Sequence, residues 1–349
     1  MLAAPAEIFI HGIGAVSPAG WGINFFRDAL AKKIPIPATD LARPGWEKSL
    51  RVRLVPDLRL RPAFFSHARL RRTSPITQYA VAAGIEALGS DAMAMNNDEM
   101  NLGIILCVMS GCVNYSKRFY DETLRDPARA SPLVFPETVF NAPASHLASL
   151  LGTSAISYTL IGDPGTFLQG LALAADWLLS ERVEGCLVIG AEEIDWLTSD
   201  AFRLFQKHII LGAGAGAIYL RRESNRTSTI KLKAVTDSHL FLKKQPRSLA
   251  IKKMRGEISN TFATKTILCD STQQIPRLDA DELNAWKDWS GARLSIKNIL
   301  GEGLMAASAW QCVAAIDALQ QKLFETANVS VVGTNQQAIG AQFCGEVPP

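Results

Sequence analysis

Two segments of nearly the same design fix most of what this chain can become. LIGDPGTFLQGLALAADWLL (160–179) and KNILGEGLMAASAWQCVAAIDALQQKL (297–323) each pass from a glycine turn into a long alanine-rich helix with almost no charge. A helix that is apolar all round is buried between other layers, not laid on a surface. Strands precede both, SAISYTLI (154–161) and the stretch beginning at Leu294. The pattern predicts an internal duplication, with two central helices back to back.

The remaining segments keep this alternation. Strands are predicted over 7–18, 101–111, 185–193, 211–223, 229–241, 265–272 and 328–343, with helices near 22–32, 73–88, 138–152, 166–181 and 248–263. NLGIILCVMSG is a continuous apolar run of strand length, as in a strand covered on both faces. Alternating strands and helices predict parallel, helix-covered sheets. Residues 33–71, rich in Pro and Arg, read as an irregular surface excursion. The two halves divide as 1–225 and a shortened 226–349.

Composition narrows the class. The 349 residues are 48% apolar and 20% charged, ordinary for a globular α/β protein with a sizeable core. No apolar run is long enough to span a bilayer, and no export signal is visible, so a cytoplasmic location is expected. The net charge of +3 does not point to nucleic acid. Six cysteines lie scattered in apolar segments, without CxxC or a Cys/His cluster, so buried thiols and no metal are expected. Residues 51–72 hold seven Arg and one Asp, a patch suited to an acidic macromolecule.

The order of motifs resembles the β-ketoacyl synthases of the thiolase-like fold over essentially the whole chain. IFIHGIGAVSPAG, RRTSPITQYAVAAGIEAL, FPETVFNAPASHLASLLG, SAISYTLIGDPG, CLVIGAEE, ILCDST and SIKNILGEGLMAASAW follow in the family order. The resemblance implies a duplicated α/β architecture in five layers (α-β-α-β-α) and a two-fold dimer in which the strand before the first central helix pairs across the axis. It also implies a catalytic Cys at the strand-to-helix turn and two His at the ends of later strands. At those places stand Gly162 and Asp163, then Asp270 after Cys269, then Glu302 after Lys297 and Gly301. None of the five His (11, 67, 146, 208, 239) falls there. The local reading of Asp163-Pro164 is a helix start, with Asp as N-cap and Pro at the first helical position. If Asp163, Asp270 and Glu302 converge, they make an acidic pocket hostile to a malonyl carboxylate.

The resemblance therefore points to a chain-length factor, the non-catalytic partner of an active ketosynthase, or to the small ketosynthase-like subunits of bacterial aryl polyene pathways. It implies no cofactor, and two partners: an intact β-ketoacyl synthase and an acyl carrier protein. Ser157, Tyr158 and Thr159 fall on the dimer strand, while Phe135, Val139 and Phe140 reach towards the partner's acyl tunnel or fill the local core. Arg59, Arg61 and Arg69 are candidates for docking the acidic carrier. The alternatives are an acyl-transfer or thioester-hydrolysing enzyme using Cys269 or the carboxylates, and a homodimeric acyl-binding protein.

Overall fold

A computed structural model describes residues 7–58, 62–92, 100–224, 229–241, 245–258, 265–333 and 336–345. The first half contains β1 (Phe9–Ser17), β2 (Gly20–Trp21), α1 (Ile23–Lys32), β3 (Thr39–Leu41), β4 (Leu50–Arg53) and α2 (Pro75–Leu88). It continues with β5 (Leu102–Val108), α3 (Val113–Arg125), α4 (Ala142–Leu151), β6 (Ile156–Ile161) and α5 (Thr166–Leu179). It closes with β7 (Gly185–Glu192), α6 (Trp196–Phe205), β8 (Leu211–Gly212) and β9 (Gly214–Arg221). The second half begins with β10 (Lys231–Val235), β11 (His239–Leu240), α7 (Arg247–Glu257), β12 (Thr266–Cys269) and α8 (Pro276–Ala285). After these come β13 (Ala292–Leu294), α9 (Ile296–Leu300), α10 (Met305–Gln320), β14 (Thr326–Val332) and β15 (Gln337–Cys344). The 225/226 boundary read from the sequence touches residues outside the described ones.

The duplication is written in the sheet. Across the molecule the strands run β13-β12-β14-β15-β10-β1-β9-β7-β5-β6. Numbered within its own half, each set of five follows the same order, third-second-fourth-fifth-first. The directions match as well. In each half the first strand is antiparallel to the fifth and the fifth to the fourth, while the fourth, second and third run parallel. The sheets are thus mixed, not parallel as alternation alone predicts, because each half closes with a strand that returns antiparallel beside the one before it, after α6 and β8 in the first half and directly in the second.

Helices cover both faces. α2 lies on the outer face of β1, β9 and β7, α7 lies on β15 and against α8, and α5 and α10 fill the space between the halves. Side chains on a strand alternate between its faces, and here both faces are dry. Ile105 and Cys107 of β5 join the core around α5 and α10, whereas Ile104, Leu106 and Val108 join the core under α2. α10 buries every residue from Met305 to Leu319. Its Trp310 indole N–H lies 3.0 Å from both the Val16 and the Ala215 carbonyl oxygens, locking the helix to β1 and β9.

The 33–71 region is less irregular than its composition suggests, since β3, β4 and β8 form a small separate sheet. LSIKNIL does not continue as a strand: β13 ends at Leu294 and α9 follows. Among the described residues, no helix is long and apolar enough to cross a membrane.

Candidate functional site

The turn between β6 and α5 is closed. Asp163 is 3% exposed. Its Oδ1 accepts the Gly165 N–H at 3.0 Å, its Oδ2 accepts the Gln337 N–H at 3.2 Å, and the Gln337 side-chain amide also donates to Oδ1. The carboxylate serves the helix start, as the Asp-Pro pair suggests, although regular helix begins only at Thr166. It also ties the turn to β15 in the other half. Burial raises its pKa, and the three donors and Lys297 oppose that rise. A Cβ on Gly162 would lie 2.2 Å from Thr166 Oγ1, and one on Gly333 would lie 2.1 Å from Asp163 Oδ2. The turn is packed for the residues it has.

The other two positions are equally committed. Glu302 and Lys297 form an ion pair at 2.7 Å, each side chain 1% exposed. Glu302 Oε1 also accepts the Leu304 N–H at 2.9 Å, while its backbone bonds Ile210 and Gly212. Asp270 is fully buried and holds Thr272 and Ser295 through Oδ1, with Arg293 at 3.4 Å. An acidic pocket is therefore not what these residues build: Glu302 and Asp270 each meet a cation and Asp163 meets amides. Cys269 is buried beside Cys312, and burial pushes its thiol up, which disfavours a thiolate there. A pocket of about 400 Å³ does reach Lys297, lined also by Arg53, His208, Gln273, Gln274 and Asn298.

Among the described residues β6 is an edge strand, paired with β5 on one side only. Its sequence reads as buried, yet Ser157, Tyr158 and Ile161 are exposed and Thr159 is half-buried. Tyr158 stands edge-on to Trp177 at 4.9 Å, with the Arg182 guanidinium above both rings. Phe135, Val139 and Phe140 are exposed rather than core, at 54%, 39% and 40%. Phe135 packs on Phe119 of α3, and a Cβ on Gly111 would touch the Phe140 ring at 2.6 Å. The segment is held from beneath by the buried Glu137, which accepts the Ser74 N–H at 2.9 Å and bonds His146 at 2.6 Å. α3 buries none of its residues and adds Tyr120 and Leu124 to the same exposed apolar set. Arg69 is exposed beside Leu70; Arg59 and Arg61 lie outside the described residues.

Two buried acids escaped sequence reasoning. Glu192 ends β7, accepts the Ser110 hydroxyl at 2.6 Å, and is pushed up to about 7 by burial. Glu193 accepts the Ile76 N–H at 3.2 Å and is pushed up to about 8, again by burial. Glu192 holds the turn that follows β5, and Glu193 holds the first turn of α2. The only local signal was an acidic pair closing an apolar run, GCLVIGAEE.

The sequence model of the 3-oxoacyl-[acyl-carrier-protein (ACP)] synthase III family matches residues 164–238. No curated protein matches the sequence. Among solved structures, "The ishigamide ketosynthase/chain length factor" superposes with a TM-score of 0.80 at 17% identity, covering 98% of this chain and 100% of that one. The chain has the thiolase-like ketosynthase fold. A beta-ketoacyl synthase from Burkholderia phymatum STM815 gives 0.79 at 14% identity, covering 98% and 100% of the two chains. A ketosynthase (ApeO) in complex with its chain length factor (ApeC) from Xenorhabdus doucetiae gives 0.77 at 13% identity, covering 99% and 100%. The family resemblance thus holds at the level of fold, including the paired halves and buried central helices.

Proposed function

We propose that this chain is a non-catalytic, chain-length-factor-like subunit that pairs with an active β-ketoacyl synthase in polyketide or polyene assembly. The observation that carries the reading is the β6–α5 turn. Where a synthase needs a nucleophile at the positive end of a helix, this turn has a glycine whose Cβ would meet the Thr166 hydroxyl and a buried aspartate whose oxygens are occupied. The likeness to structures described as a ketosynthase/chain length factor and as a ketosynthase with its chain length factor supports the same reading.

In this reading the open edge of β6 continues the sheet into the partner, whose backbone satisfies N–H and C=O groups otherwise left to solvent. Phe135, Val139 and Phe140 close the partner's acyl tunnel and set product length, and Arg69, with Arg59 and Arg61, steers the acidic carrier protein. In this reading the three replaced positions are those of a small subunit of an aryl polyene pathway, working in the cytoplasm. Nothing among the described residues favours relocated chemistry: the Cys269 thiol is buried, which raises its pKa, and Glu302 and Asp270 face cations.

The test is substitution on the edge. Tyr158→Glu with Ile161→Glu abolishes co-purification with the partner synthase, while Phe140→Ala keeps the complex and shifts its products to longer chains. A complex that survives the double substitution contradicts the pairing surface; unchanged product length in Phe140→Ala contradicts the tunnel role.

A further inference from the structure

We propose that a second face, carrying Trp46, Leu204 and Phe205, docks the protein onto an anionic lipid bilayer. Leu204 and Phe205 end α6 at 75% and 72% exposure, and Trp46 is 63% exposed. The three are tied together through Arg43. Its guanidinium lies over the Trp46 ring at 3.8 Å, and its Nη2 bonds Asp200 of α6 at 2.6 Å. Beside them runs a groove of about 310 Å³ lined by Lys48, Arg51, Arg203, Lys207 and His208.

The charge of this face is partly answered within the protein, and the exposed Glu47 lies between Trp46 and Lys48 in the sequence. Asp200 is engaged by Arg43 and lies 3.7 Å from Arg203, and Asp40 lies 3.6 Å from an Arg51 side chain that is 60% exposed. Lys48 and Lys207 have no ion-pair partner among the described residues. Cations around protruding aromatic and leucine side chains suit a bilayer surface: headgroups meet the charges, and the apolar tips enter the acyl boundary. An acidic protein surface would answer the cations alone, whereas a bilayer surface also receives the three apolar tips. The face uses none of the residues assigned to the partner synthase, so it stands or falls independently of that pairing.

The test is co-sedimentation of the full chain with vesicles of phosphatidylcholine, and of phosphatidylcholine mixed with phosphatidylglycerol. The protein should sediment with the anionic vesicles only, and less as salt rises. Arg203→Gln with Lys207→Gln should lower the partition about thirtyfold, and Leu204→Ser with Phe205→Ser at least about tenfold. All four positions are exposed, so both variants should melt as the parent does; the two pairs provide separate readouts if one folds poorly. Parent protein that ignores anionic vesicles, or variants that bind them equally, overturns the proposal. So does a face that binds holo acyl carrier protein but no vesicle.

Discussion

Replacing Lys297 with Met should destabilise the fold far more than losing a surface lysine. Lys297 and Glu302 are each 1% exposed and 2.7 Å apart. Removing one member of a buried pair leaves the other charged and unsolvated, at about 3–5 kcal/mol. The Lys297 charge also bears on Asp163, Asp279 and Glu282, which places this variant at the upper end of that range. Lys297→Met with Glu302→Gln removes both charges, and the glutamine oxygen can keep the 2.9 Å bond from Leu304 N–H. The double variant should therefore recover at least about 2 kcal/mol relative to the sum of the single effects. Urea unfolding at neutral pH, with m-values compared, measures all four corners of the cycle. Additive single effects, or a Lys297→Met cost below about 1 kcal/mol, would refute the claim that this pair is a closed structural element.

Three further outcomes follow. Glu192 and Glu193 are raised to about 7 and about 8 by burial, so the folded state holds protons that the unfolded state releases near pH 4.5. Stability should fall as pH rises from about 4.5 to about 8, roughly 3 kcal/mol of it through Glu192; Glu192→Gln should flatten that part of a pH series of melts. Asp163→Ala strands the Gly165 and Gln337 donors and should cost about 3 kcal/mol in urea unfolding; a loss under about 1 kcal/mol would contradict the cross-half tie. Cys269 should resist a thiol reagent until the protein unfolds, and Cys269→Ser should leave product formation by the complex unchanged; loss of product without loss of folding would restore the relocated-chemistry reading.

Burial explains what the sequence could and could not disclose. The apolar runs ending in Val108 and Glu192 announced strands covered on both faces, and alanine-rich α10 announced a helix with no solvent side. α3 was missed because it is polar and has no side-chain cap, whereas α6 and α8 carry start signals, an Asp195 cap and a first-turn Pro276, that lie hidden in an acidic run and a polar stretch. LSIKNIL alternates like a strand, but α9 places its Ile296, Lys297, Ile299 and Leu300 inside, a choice made by packing and not by local propensity. The bond of Asp163 to the Gly165 N–H was legible because such turns are local, but the N-cap is Gly165 and not Asp163. The Lys297–Glu302 pair was not legible, since five residues across a glycine turn carry no helical or strand spacing. The composition of β6 reads as buried, although the resemblance already put this strand at an edge, and Ser157, Tyr158 and Ile161 are exposed in the single chain.

The central claim is that this chain supports another chain's chemistry. Co-expression with an intact Cys-His-His synthase, followed by native mass determination and an elongation assay of the purified species, tests it directly. The account predicts a one-to-one complex that elongates an acyl chain only when both subunits are present and the partner's cysteine is intact. A homodimer of this chain that turns over acyl thioesters alone would contradict it.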